Sequence, residues 1–86
     1  MNQIITLDQL PPEQCGIVER VEAEGDMRRR FLDLGLIENT LVECIGRSPQ
    51  GDPSAYLIRG AVIAIRAKNC RGIFIRPIEK EAAPWD

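Results

Sequence analysis

The side chains that could carry out chemistry are few in this chain, and their spacing is not that of a catalytic or metal site. The 86 residues contain no histidine, so no Ser–His or Cys–His couple can form. Cys15, Cys44 and Cys70 are far apart and form no CxxC pair, unlike a zinc site or a disulfide framework. The acidic residues occur singly, and no glycine-rich phosphate motif is present. We therefore predict reduced cysteines and a protein that is not an enzyme and needs no cofactor or bound metal.

Charge is distributed unevenly along the chain. The formal net charge is −2, yet residues 1–26 hold six acidic residues against one arginine, while residues 27–76 hold nine basic residues against four acidic ones. Nine of the eleven basic residues are arginine, which favours planar, geometry-specific pairing. Two interpretations stay open. Acids and bases on different strands neutralise one another, or the central segment forms a basic face for an acidic partner or a phosphate backbone.

One short segment has a clear helical period. Met27, Phe31 and Leu34 fall at positions i, i+4 and i+7, which places them on one stripe that can pack against a core. Asp26 is the predicted N-cap, and Gly35 follows the last apolar turn, where a left-handed residue usually ends a helix. The sequence therefore predicts a two-turn helix over 26–34.

The outer side of this helix holds the residues that we predict to bind a partner. Leu32 lies about 100° from the centre of the apolar stripe and one turn after Arg28, with Arg29 beside them. An apolar side chain next to guanidinium groups is typical of residues that dominate interface energies. The second candidate is the region of Tyr56 and Arg59. In the alternative interpretation Leu32 packs on the sheet edge, and the arginines are solvated or pair with three acidic residues, Glu19, Glu22 and Glu24.

The rest of the chain favours strands and turns. We predict a lead-in over 6–13, with strands and connections over the ranges 14–22, 40–47, 55–59, 62–66 and 72–78. Cys15, Ile17 and Val21 are expected on one face of the first strand. The stretch 67–71 suits a 3₁₀ turn, and 79–86 is expected to be a frayed tail. This pattern predicts a mainly β domain over 1–78, a small barrel of about five antiparallel strands with one helix between strands 1 and 2.

Several segments together resemble the FeoA family. They are MRRRFLDLGL at 27–36, TLVEC at 40–44, GDPSAYLIRG at 51–60 and IAIR at 63–66, and the resemblance covers about residues 5–78 in matching order. Asn39 stands where the family more often has glycine in a turn. The resemblance implies an SH3-like barrel, which agrees with the strand count.

The resemblance also implies a function and a location. It implies a non-enzymatic, cytoplasmic accessory protein of bacterial ferrous-iron uptake. The implied partner is a membrane iron transporter with a GTPase-type cytosolic domain, and this partner would hold the protein at the inner face of the membrane. No apolar run reaches the roughly 20 residues needed to span a bilayer, and no secretory signal is evident. One alternative is a free-standing nucleic-acid-binding or regulator-type barrel, which the pI of about 5.1 disfavours. Another is a small metal carrier, which the missing histidines disfavour.

Overall fold

The computed structural model describes residues 3–79, which form one antiparallel sheet, two helices and a 3₁₀ turn at Leu7–Gln9. The elements in chain order are β1 (Ile5–Thr6), β2 (Cys15–Val21), α1 (Gly25–Leu34), β3 (Leu41–Arg47), β4 (Ser54–Ile58), β5 (Ala61–Ile65), α2 (Ala67–Cys70) and β6 (Ile73–Ile78). Of the predicted tail, only Glu79 belongs to the described residues, and 80–86 lie outside them.

The mainly β architecture is confirmed, with one more strand than predicted. The sheet order is β1-β6-β2-β3-β4-β5, every pair is antiparallel, and α1 lies in sequence between the two long strands β2 and β3. The additional strand is β1, which pairs through Ile5 with Ile75 of β6. A strand of two residues is too short to show an alternation of apolar and polar residues. It is defined only by its pairing with β6, which is distant in sequence. Strands β1 and β5 are the two ends of the sheet, and no pairing within 3–79 closes it into a continuous barrel.

Helix α1 ends as predicted and begins one residue earlier than predicted. Gly35 has φ of 92°, and its N–H donates to the Leu32 carbonyl (3.0 Å) while that of Leu36 donates to the Phe31 carbonyl (2.9 Å), a Schellman arrangement. Glu24 takes the N-cap position without a side-chain cap bond, so the prediction of Asp26 as N-cap is wrong. Asp26 lies in the first turn instead, where its charge still complements the helix dipole.

The inward face of β2 differs from the prediction. Val18 is fully buried in the core, whereas Ile17 is only half-buried. The pairing of β2 with β6 shifts register between Val18 and Arg20, so that Val18 and Val21 both pack on the core although three positions separate them. Strict alternation therefore fails along this strand, and the set of Cys15, Ile17 and Val21 does not share one face.

The core contains the predicted helix stripe. Phe31 is 2% exposed, and Met27 and Leu34 are partly buried against the same cluster. The three cysteines are free and buried, as expected for small apolar side chains. The predicted 3₁₀ turn at 67–71 is instead the single α-helical turn α2, and its Ala67 N–H donates to the Asp52 carboxylate at 2.8 Å. The fully buried members of the core are Leu7, Leu10, Val18, Leu36, Val42, Cys44, Tyr56, Ile58, Cys70, Ile73 and Ile75.

Candidate protein-docking surface

The outer side of α1 presents the predicted contact residues to solvent. Arg28, Arg29 and Leu32 are all exposed, and Leu32 keeps 48% of its surface accessible although its neighbour Phe31 is buried. Because Phe31 packs in the core, it fixes the helix backbone from which these three side chains project. The alternative in which Leu32 is covered by the sheet edge does not match this exposure.

Leu32 and Arg28 lie in a groove between α1 and the segment that follows it. The groove has a volume of about 340 Å³. Its walls include Ile37, which is 40% exposed, so two large apolar side chains are accessible within it. We call this hollow the helix groove, and its lining residues are Arg20, Val21, Arg28, Leu32, Leu36, Ile37 and Glu38.

Ile37 is a residue that the sequence reasoning missed. It falls in the tight turn after α1, where Asn39 has φ of 70° as the turn requires. The signal in the sequence that indicates such a residue is a large apolar side chain within a short turn. The structure places Ile37 beside Leu32, and this pair forms the apolar part of the surface.

The arginines of α1 are not neutralised by the glutamates around them. Glu22 pairs with Arg20 at 2.6 Å, and Glu19 lies 3.4 Å from Arg76, so two of the predicted acidic partners are used elsewhere. Arg28 donates one long hydrogen bond of 3.4 Å to the Val21 carbonyl. Within residues 3–79, neither Arg28 nor Arg29 forms an ion pair. Their charges therefore remain available to a partner.

Arg59 belongs to the same surface. It lies in the turn between β4 and β5 with φ of 51°, and its side chain crosses the end of α1. A Cβ atom built on Gly35 would lie 2.5 Å from Cδ of Arg59, so a larger residue there would displace this arginine, and the φ of 92° at Gly35 itself favours glycine. Arg59, Leu32 and Ile37 line a second hollow of about 410 Å³. Arg59 also lines an open hollow of about 640 Å³ with Leu41 and Leu57.

Tyr56 is a correction to the predicted contact residues. Its side chain is fully buried, and its hydroxyl donates to the Leu7 carbonyl at 3.4 Å. In β4 the alternation places Tyr56 inward with Ile58, while Arg59 follows in the turn. The structure therefore does not bring Tyr56 and Arg59 together on one surface, and only Arg59 is accessible.

The buried thiols are not equipped for nucleophilic chemistry. Burial is the main cause that raises the pKa of the Cys70 thiol from its usual 9.0 to about 11, and burial likewise raises the pKa of Cys44. Both thiols are therefore protonated at neutral pH. Among residues 3–79, no cluster of three cysteine, aspartate or glutamate side chains has a geometry that could hold a metal ion.

Aromatic surfaces for stacking nucleic-acid bases are not offered by the described residues. Phe31 and Tyr56 are buried. The Phe74 ring is covered by the Arg20 guanidinium, whose central carbon lies 4.0 Å from the ring centroid. Proteins that bind single strands usually combine basic grooves with free aromatic faces. The arrangement of exposed arginines around Leu32 and Ile37 is typical of a protein–protein contact instead.

A six-stranded antiparallel sheet with one principal helix is the architecture of a small SH3-like domain. The model of the FeoA domain family matches residues 5–77, and the chain belongs to that family. FeoA is a family of small accessory domains and not a known enzyme family, in agreement with the sequence prediction.

Solved structures of other FeoA proteins have the same fold. A FeoA-like protein from Clostridium acetobutylicum superposes with a TM-score of 0.83 at 25% identity, over 93% of each chain. FeoA from Chlorobium tepidum superposes with a TM-score of 0.80 at 27% identity, over 95% of this chain and 81% of the other. FeoA from Stenotrophomonas maltophilia was solved with zinc and is described as a prokaryotic SH3 domain protein. It superposes with a TM-score of 0.75 at 24% identity, over 83% of this chain and 88% of the other. No curated protein sequence matches the chain.

Proposed function

We propose that this protein is an accessory protein of bacterial ferrous-iron uptake that acts by binding the cytosolic GTPase-type domain of the membrane iron transporter. Membership of the FeoA family supports the iron-uptake role, since relatives of this fold are named as iron-uptake and ferrous-iron transport proteins. The single observation that carries the contact mechanism is the exposure of Leu32 beside arginines that have no acidic partner among residues 3–79.

The surface suits a partner with an apolar pocket and an acidic rim. Leu32 and Ile37 supply the apolar centre, and Arg28, Arg29 and Arg59 each share a hollow with Leu32. Guanidinium groups pair well with carboxylates. Interfaces of this kind gain most of their free energy from a few central side chains and gain specificity from the charged rim. Contact changes transport only if this surface binds one conformational state of the transporter more tightly than another.

The proposed location follows from the partner. No helix among residues 3–79 is long and apolar enough to cross a bilayer. We expect the protein in the cytoplasm, held at the inner face of the membrane by the transporter. Fractionation of cells with and without the transporter tests this location, and an unchanged distribution would contradict it.

The test is a double variant, Leu32→Ala with Arg28→Glu. Both side chains are exposed, so the fold should be retained, and the loss of an apolar centre plus one reversed charge should weaken binding by about 30-fold or more. Binding is measured by calorimetry with the purified cytosolic domain of the transporter, and uptake of labelled ferrous iron is measured in cells that lack the native gene.

The matched control is Ile45→Ala with Lys68→Glu. Ile45 is 44% exposed and Lys68 is exposed, but neither lines the hollows around α1. The control should bind and support uptake at parental levels. If the Leu32 and Arg28 variant also binds at parental affinity, the docking surface lies elsewhere. If it binds normally but uptake falls, contact with this domain is not the mechanism.

A further inference from the structure

Strand β5 is an edge that lacks the usual protection against further strand pairing. It stands at the end of the sheet order, and its only partner within 3–79 is β4. Its sequence, AVIAI, has no charge and no proline, and its pairing with β4 runs without a bulge. Natural proteins usually shield such edges with charges, prolines, bulges, very short strands or a covering helix, and here hollows separate β5 from α1. The opposite edge, β1, is short, with two residues, whereas β5 has five.

The free hydrogen-bonding groups of β5 belong to Val62 and Ala64. A two-residue turn joins β4 to β5, so the pair that closes it, Ile58 and Ala61, is hydrogen-bonded. Alternation then makes Tyr56 with Ile63 the next hydrogen-bonded pair. The N–H and C=O groups of Val62 and Ala64 therefore point away from β4. The Val62 side chain is 64% exposed, on the face opposite the core.

A groove runs between this free edge and α1. It consists of two hollows, of about 410 Å³ and about 300 Å³, which share Leu34 of the helix. A strand added beside β5 would lie about 4.8 Å from it, on the side where these hollows open, with alternate side chains directed toward α1. We call the two hollows together the edge groove. Its residues from α1 are Met27, Arg30, Phe31, Leu32, Asp33 and Leu34, and those from β5 are Ala61, Ile63, Ala64 and Ile65.

The edge groove is positively charged. Arg30, Arg59 and Arg66 line it, and Asp33 is its one acidic side chain among the described residues. None of the three arginines forms an ion pair within residues 3–79. Arg59 and Arg66 flank the two ends of β5, which places guanidinium groups on both sides of an apolar strand. The charge favours an occupant that carries carboxylates near both ends of an apolar centre.

A second copy of this chain is a poor occupant by the same criterion. Antiparallel pairing of two β5 strands about Ile63 would place Arg66 opposite Gly60 of the other copy and next to its Arg59. Two such clusters of like charge would form, one at each end, and like charges side by side across strands are destabilising. Self-pairing is therefore opposed where pairing with an acidic segment is favoured.

We propose that the edge groove binds an extended segment of a second protein, which pairs with β5 as a seventh strand and carries carboxylates at the ends of an apolar centre. Backbone hydrogen bonds to Val62 and Ala64 provide the pairing, and the alternate inward side chains of the segment pack against Leu34. Its end carboxylates meet Arg66 and Arg59. This binding does not depend on the iron transporter, because the edge groove contains every group that it uses.

The probe is the capped peptide DVTVTVD, compared with the charge-reversed peptide KVTVTVK. In antiparallel register about Ile63 the two aspartates of DVTVTVD fall opposite Arg66 and beside Arg59, and its valines face the groove. Titration into ¹⁵N-labelled protein should shift the Val62 and Ala64 amide signals and slow their hydrogen exchange. KVTVTVK should bind at least about tenfold more weakly.

Two variants separate backbone pairing from simple charge attraction. Ala64→Pro removes an outward N–H that does not bond to β4, a change that edge strands tolerate. It should lower the affinity for DVTVTVD by about tenfold. Ala64→Ser keeps this N–H and should change the affinity by less than about twofold. The double variant Arg59→Glu with Arg66→Glu should bind KVTVTVK more tightly than DVTVTVD. If Ala64→Pro does not fold, this double variant provides the test of the proposal.

The proposal is overturned if neither peptide shifts Val62 and Ala64 at about 2 mM, a concentration that detects even millimolar affinity. It is equally overturned if both peptides bind alike, or if the shifts are confined to Val21 and Arg28, which line the helix groove and not the edge groove. Concentration-dependent protection of the same amides without peptide, together with a dimeric diffusion coefficient, would identify a second copy as the occupant instead.

Discussion

Replacing Phe31 by alanine tests whether α1 is fixed to the core, as the docking proposal requires. Phe31 is 2% exposed and packs in the same cluster as Tyr56 and Ile65. The hollow that it lines with Leu34 and Pro53 is open to solvent, so the cavity left by the ring would be partly hydrated instead of collapsing. Its neighbour Leu32, on the same helix turn, is 48% exposed and provides the control.

The expected loss is large relative to the stability of so small a domain. Truncation of a buried phenylalanine to alanine usually costs about 3–5 kcal/mol. A chain of 86 residues has a free energy of unfolding of roughly 4–13 kcal/mol. Phe31→Ala should therefore remove about a quarter or more of the stability and lower Tm by about 12 °C or more. Leu32→Ala should change the free energy of unfolding by less than about 1 kcal/mol, because about half of the Leu32 surface stays in water and Leu32 is not part of the core cluster.

Urea unfolding followed by circular dichroism measures both variants. Equal slopes with denaturant concentration would show that the two differ from the parent in stability and not in compactness. Binding to the transporter domain gives the second readout, in which Leu32→Ala should lose affinity while remaining stable. A Phe31→Ala protein that unfolds at the parental urea concentration, or a Leu32→Ala protein that is equally destabilised, would refute the separation of a buried and an exposed helix face.

Two further predictions concern backbone packing and pH. Gly72→Ala should lower the free energy of unfolding by about 1–3 kcal/mol, because its Cβ would lie 2.5 Å from the Glu22 carbonyl oxygen. A Cβ at Gly46 would have no atom within 4 Å, so Gly46→Ala should change the same free energy by less than about 0.5 kcal/mol. Equal urea midpoints would contradict this. The folded-state pKa of Cys70 is raised to about 11, above its unfolded value near 9. The contribution of Cys70 to the free energy of unfolding is therefore complete below pH 9. It falls by up to about 1.4 kcal/mol per pH unit as the pH rises toward 11. Tyr56, whose pKa is also raised, adds a loss of the same sign. Cys70→Ala should flatten this decline, and an unchanged alkaline slope would show that Cys70 does not contribute.

Local patterns were sufficient for most of the secondary structure and for the family. The apolar stripe of Met27, Phe31 and Leu34 identified the one long helix, because a 3.6-residue period is a property of neighbouring residues alone. Gly35 and Asn39 identified the two left-handed positions that end the helix and form the following turn, because few residue types adopt such backbone angles. Leu32, Arg28 and Arg29 could be assigned to the outer face for the same local reason.

The tertiary structure decided which side chains reach the surface together. Tyr56 and Arg59 are three residues apart, yet the pairing of β4 with β3 and β5 buries the first and leaves the second across the end of α1. The register shift in β2, the strand β1 and the free edge of β5 likewise depend on partners distant in the chain. Periodicity within a segment defines which of its residues share a face, but the neighbours of that face are set by pairing and packing across the sheet. For that reason the helix and the family were predictable from the sequence, whereas the helix groove and the edge groove were not.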